Sequence, residues 1–77
     1  MEIAETVDLC GLKCPLNAMI ARRAALRTPP GTVLELVADD PLSEIDLTYM
    51  CEREQIEVLS KSRQDGVLRM TVRRTVR

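Results

Sequence analysis

Residues 32–43 read TVLELVADDPLS. From Thr32 to Ala38 the segment is apolar on both alternations apart from Glu35, the pattern of a strand covered by neighbours and so of an inner strand. Asp39-Asp40-Pro41 then stops the run as a turn, with an acidic side chain near a helix cap and proline at or near its first position. Adjacent carboxylates could also pair as acid and base, but turn and cap is the simpler reading. The strand-to-helix step fixes the layering: a strand that leads into a helix on both sides belongs to crossover units.

Upstream, Ile3, Glu5, Val7 and Leu9 alternate with Ala4, Thr6 and Asp8, a strand with one face more buried than the other. Gly11 breaks that pattern. Pro15 suits the first position of a helix over about 15–27. There Leu16, Met19, Ile20 and Ala24 fall at i, i+3, i+4 and i+8, with Arg22, Arg23 and Arg27 interspersed. Pro29-Pro30-Gly31 ends it.

Downstream, a second helix is predicted over about 42–53, its seam formed by Leu42, Ile45 and Tyr49 and widened by Leu47, Met50 and Cys51. Strands follow over 56–60 and 67–74, separated by a polar segment with the tight-turn pair Asp65-Gly66. In the last strand Leu68, Met70 and Val72 take one face, and Arg69, Thr71 and Arg73 the other. The order βαβαββ predicts an α/β two-layer sandwich: a mixed four-stranded sheet with two helices on one face. The opposite face, with Arg69 and Arg73, is expected to meet water or a partner.

The 77 residues include 11 Lys+Arg, 12 Asp+Glu and no histidine, for a formal net charge of −1. No Ser-His-Asp or Cys-His arrangement, histidine zinc site or imidazole switch can be built from these residues. Tyr49 is the one aromatic residue, which argues against a base-stacking platform and against direct nucleic-acid binding. The length predicts a single domain over 1–77, burying about 60% of its unfolded surface and leaving little room for a deep pocket. Without a spanning run or a signal-like start, a cytoplasmic protein with no membrane association is expected. Three cysteines fit reduced thiols better than a disulfide framework.

Charge is balanced in total but segmented along the chain. Residues 1–12 are acidic, 13–34 basic, 35–57 strongly acidic and the tail from 58 basic. Two readings stand side by side: charge-guided docking to partners, and ordinary solvated faces.

Cys14-Pro15, at the junction of the first strand and helix, is the sharpest chemical feature. A thiol at a helix N-terminus meets unsatisfied N–H groups and the positive end of the dipole, which favour thiolate and lower the pKa below the ~8.5 of a free cysteine. Lys13 adds a cation next to it. Such a thiolate can attack sulfane or disulfide sulfur and carry a persulfide. The alternative is a small apolar residue at the helix start. Cys10 is read as a resolving thiol able to form a disulfide with Cys14 or, more simply, as a small residue at the strand end. Cys51 reads as core. A metal site has no CxxC pair and no fourth soft ligand, and neither metal nor cofactor is expected. Arg22 and Arg23 point outward, as a solvated face or a contact for an acidic partner.

The run VDLCGLKCPLNAMIARRAAL, followed after a strand by ADDPLSEID and a closing hairpin, resembles the TusA/SirA family of small sulfur carriers, from Val7 to Val72. That family's motif is a Gly-x-x-Cys-Pro-x-Pro turn opening the first helix. The resemblance implies Cys14 as nucleophile and persulfide site, Pro15 as the first motif proline, and Gly11 as turn glycine, with Lys13 and Asn17 in the supporting loop and helix start. Asn17 stands where the family has its second proline, which implies a looser or differently capped first turn. The implied partners are a sulfur-donor protein, such as a cysteine desulfurase or a rhodanese-like protein, and a sulfur-acceptor protein. The implied pathways are tRNA thiolation, sulfur oxidation and molybdenum-cofactor assembly. The role would be a relay rather than a multiple-turnover enzyme. Two other readings are a non-catalytic interaction module using the arginine-bearing sheet face and first helix, and a Cys10–Cys14 redox sensor.

Overall fold

The computed structural model describes residues 3–13 and 15–75. The elements run β1 (Glu5–Asp8), α1 (Leu16–Leu26), β2 (Val33–Ala38), α2 (Ser43–Arg53), β3 (Ile56–Gln64) and β4 (Val67–Arg74), in the expected order. The sheet order is β1-β2-β4-β3. β1 and β2 are parallel, with Val7 opposite Leu36. β4 pairs antiparallel with β2 on one side and with β3 on the other. The chain thus forms a mixed four-stranded sheet with two helices. β2 is an inner strand, as its apolar composition requires.

The core lies between helices and sheet. Leu9, Leu34, Leu36, Ala38, Leu68, Met70 and Val72 supply the sheet side, while Ala21, Ala24, Ala25, Leu47, Met50 and Cys51 supply the helices. In β4 the alternation is as expected: Leu68, Met70 and Val72 are buried, and Arg69 is exposed on the other face. Asp65 and Gly66 turn the hairpin with φ of 53° and 78°, the left-handed pair of a primed turn. β3 is longer than predicted, continuing to Gln64 past a register shift between Val58 and Ser60. Lys61, Ser62 and Arg63 lack apolar character, but an edge strand tolerates polar residues on both faces.

The helix faces bear out part of the sequence-based seams, with Ala24 and Ile20 of α1 and Leu47, Met50 and Cys51 of α2 against the core, and correct the rest. In α1 the buried residues are Asn17, Ala21, Ala24 and Ala25, while Leu16 and Met19 are exposed, Met19 to 60%. In α2 they are Ser43, Leu47, Met50 and Cys51, while Leu42, Ile45 and Tyr49 are exposed, Ile45 to 69%. Each helix carries two apolar stripes, and in α1 the alanine-rich one is buried while Ile20, between the two, is half-buried against the core. In β1 the inward face is Val7 and Leu9, while Ile3 and Glu5 are exposed.

Both helix ends are tied to the rest of the fold. Arg74 donates from Nη1 to the carbonyls of Thr28 (2.6 Å) and Leu26 (3.3 Å), satisfying acceptors that the C-terminus of α1 leaves open. At the start of α2, Asp40 accepts the Leu42 N–H at Oδ1 (2.8 Å) and the Ser43 N–H at its carbonyl (3.0 Å). Asp40 is therefore the turn residue that the sequence suggested.

Candidate functional site

β1 delivers the chain to the site through Leu9, whose N–H donates to the Val37 carbonyl at 2.6 Å. Cys10 is exposed just beyond. Its N–H donates to Asp8 Oδ1 at 3.0 Å. Desolvation, the hydrogen bond with Asp8 and the negative charges of Asp39 and Asp8 hold its thiol above the ordinary value, with Arg69 pulling the other way. That direction disfavours the Cys10 thiolate, the form that attacks in thiol–disulfide exchange.

Gly11 follows with φ of +85°, a conformation strained for any residue with a Cβ. Its N–H donates to Asp39 Oδ1 at 2.9 Å. Asp39 is thus a loop tie, in keeping with the turn reading of Asp39-Asp40. Leu12 is half-buried against the core, and Lys13 is exposed. The Lys13 carbonyl accepts from Leu16 N–H (2.7 Å) and Asn17 N–H (3.2 Å). Pro15 precedes α1 with φ −95° and ψ 7°, one position earlier than expected. Cys14 lies outside the described residues, so its reading as nucleophile, and any disulfide with Cys10, rest on sequence and chain position.

The start of α1 differs from expectation in one electrostatic detail. The N–H groups of Leu16 through Met19 are not open: Lys13 O takes two, Asn17 Oδ1 takes that of Ala18, and Pro15 O takes that of Met19. What α1 offers a preceding residue is therefore the field of its dipole rather than those free donors. No acidic residue in the first turn of α1 offsets that field, whereas the first turn of α2 holds Glu44 and Asp46.

Asn17 is the residue whose role sequence reasoning missed. Its side chain is fully buried, and Nδ2 donates to the equally buried Ser43 Oγ at 3.0 Å. The first turn is thus tied to α2 by a cross-helix hydrogen bond, and Asn17 Oδ1 takes the Ala18 N–H within it. The available signal was a polar residue at both helix starts, each on the stripe that proved to face inward.

Beside Pro15, a shallow groove of about 410 Å³ runs between α1 and α2, lined by Pro15, Ala18, Arg22, Asp46, Tyr49 and Arg53 among others. Arg22 is held there by Glu54 at 2.8 Å, and the Arg53 guanidinium lies 5.8 Å from the Tyr49 ring centroid. The opposite, sheet-borne arginines are matched by carboxylates. Arg69 lies 3.6 Å from Glu35 and Arg73 2.7 Å from Glu57, so the basic charge of this face is partly offset within the sheet.

A family model described as sulfurtransferase TusA matches residues 5–74. The chain belongs to the TusA family. Among similar proteins are two from Neisseria meningitidis, of serogroups A and B, each named as a proposed sulfur carrier protein. Each is 36% identical over 69 residues, covering 90% of this chain and 93% of theirs. A protein from Archaeoglobus fulgidus with the same kind of name is 35% identical, covering 87% of this chain and 88% of its own. The crystal structure of a SirA-like protein from Desulfitobacterium hafniense superposes with a TM-score of 0.79 at 25% identity, covering 92% of this chain and 97% of that one. That TusA-type likeness includes the βαβαββ order and the mixed sheet. Among the described residues, no helix is long and apolar enough to cross a membrane.

Proposed function

We propose that this TusA-family protein is a sulfur carrier that accepts sulfane sulfur as a persulfide on Cys14 and passes it to an acceptor protein. The observation that carries the reading is the site's position in the family match: the Cys14-Pro15 pair immediately precedes α1, whose positive end no first-turn carboxylate offsets. An anion at that point is stabilised by the helix dipole, and a persulfide or thiolate is such an anion. Lys13, exposed one residue earlier, adds positive charge. Gly11 and Pro15 shape the turn.

The transfer needs no oxidant. The Cys14 thiolate attacks the outer sulfur of a donor persulfide, forming a new S–S bond while the donor's S–S bond breaks and the donor cysteine leaves as thiolate. Delivery repeats the step in reverse order, with an acceptor nucleophile taking the outer sulfur and Cys14 leaving as thiolate. The donor is a protein persulfide, from a cysteine desulfurase or a rhodanese-like protein. Both steps take place at a surface, which suits a protein with shallow grooves. The setting is cytoplasmic, where thiols stay reduced.

The test is intact-mass analysis after mixing the protein with a cysteine desulfurase and cysteine. A gain of one sulfur, reversed by thiol reductant and abolished by Cys14→Ala, is the expected result. Failure of the native protein to gain sulfur, or an equal gain by Cys14→Ala, overturns the reading.

A further inference from the structure

Asn17 and Ser43 are the two buried polar side chains among the described residues, both with no exposed surface, and they bond to each other. A buried amide or hydroxyl is costly without a partner, so each residue makes the other tolerable at its place. The two belong to different elements, at the start of α1 and of α2. The same connection that ends in Ser43 also holds the other side of the cysteine turn, because Asp39 Oδ1 accepts the Gly11 N–H at 2.9 Å. Gly11 and Asn17 stand three positions before and three after Cys14.

Asp40, between the two ties, fixes the connection itself through the N–H groups of Leu42 and Ser43. The five residues Asp39 to Ser43 therefore bond to Gly11 on one side of the cysteine and to Asn17 on the other.

Resting on the reading that Cys14 carries the sulfur, we propose that Asn17 is a positioning residue for the cysteine turn. It acts through its buried hydrogen bond to Ser43 and in concert with the Asp39–Gly11 tie. Asn17 reaches neither donor nor acceptor, being buried, and its effect passes through the orientation of the first turn of α1. The connection between β2 and α2 is then part of the sulfur-transfer machinery, although none of its residues handles sulfur.

Ser43→Ala and Ser43→Thr are compared with native protein by the pH profile of Cys14 alkylation, followed on the tryptic peptide 14–22, and by the rate of sulfur loading from a cysteine desulfurase. Melting temperature is recorded alongside. Ser43→Ala is expected to move the alkylation profile to higher pH and to slow loading about threefold or more, since small misplacements of a reacting group are costly. Ser43→Thr keeps the hydroxyl and is expected to restore native behaviour.

A second pair covers the event that substitutions at buried Ser43 do not fold. Asp39→Asn and Asp39→Ala both remove a charge at an exposed position, but only asparagine retains an acceptor for Gly11 N–H. Slower loading in Asp39→Ala than in Asp39→Asn supports the assignment. A folded Ser43→Ala with native alkylation and loading overturns it, as does equal loading by the two Asp39 variants when Ser43→Ala does not fold. If native protein gains no sulfur, the carrier reading falls first and the assignment with it.

Discussion

Cys10 and Cys51 are both kept as thiols, but for different physical reasons. Cys10 sits at the surface near Asp8 and Asp39, whose charges add to desolvation in opposing a thiolate. Its alkylation is expected to lag behind that of Cys14 at neutral pH and to gain on it as pH rises, read from the separate tryptic peptides. Cys51 is buried in the core, and burial pushes its thiol up to about 11 from 9.0. The unfolded chain loses this proton near pH 9 and the folded chain only near 11, so the unfolded state binds fewer protons in that window. Stability is therefore full below pH 9 and falls through to about pH 11, by roughly 1–2 kcal/mol. Urea titrations across the window should show this decline, and Cys51→Ala should remove its cysteine-dependent part. At this scale Cys14-Pro15 stood out in the sequence as a nucleophile at a helix start. Asn17 did not, because a buried asparagine is recognisable only once its partner on another helix is known.

The elements were legible in order and type because period-two and period-3.6 patterns, prolines and Asp65-Gly66 agree with one another. Which face of each helix packs inward was not. α1 and α2 each offer a bulky stripe and a smaller one, and mean apolarity favours the bulky stripe as core. The inward stripe of α1 is instead Ala21, Ala24 and Ala25, with Leu16 and Met19 outside. Enlarging the contact, as in Ala21→Leu, is expected to cost about 1–3 kcal/mol through overpacking. Met19→Ser, by contrast, should stay within about 0.5 kcal/mol of native stability. Denaturant unfolding distinguishes them, and equal effects would contradict the observed helix orientation. Arg74→Met tests the tie at the other end of α1: loss of two carbonyl contacts is expected to lower stability by about 1–2 kcal/mol, with native stability in the variant as the contrary result.

Across the whole molecule, the charge blocks seen along the sequence meet one another. Basic residues of β3 and β4 lie against the acidic middle of the chain: Lys61 and Arg63 against Glu44, Arg69 against Glu35, and Arg73 against Glu57. Arg22 of α1 likewise reaches Glu54. Linear composition cannot reveal this, because pairing depends on β4 running between β2 and β3. Exposed pairs of this kind contribute about 0–1 kcal/mol each, so Arg73→Gln should lower stability by less than about 1 kcal/mol, with an effect that shrinks as salt is added. A loss several times larger in urea unfolding would show that the pair carries more than a surface ion pair does.

The position of β4 also bears on the protein's synthesis. β1, α1, β2, α2 and β3 all leave the ribosome before the strand that joins β2 to β3. Until it arrives, β2 lacks its antiparallel neighbour and the apolar faces of Leu34 and Leu36 have no cover from Leu68, Met70 and Val72. Nascent chains that end at Gln64 should therefore remain protease-sensitive. A cell that makes this protein would then hold a partly covered core through most of these elements and close it only once β4 has been made.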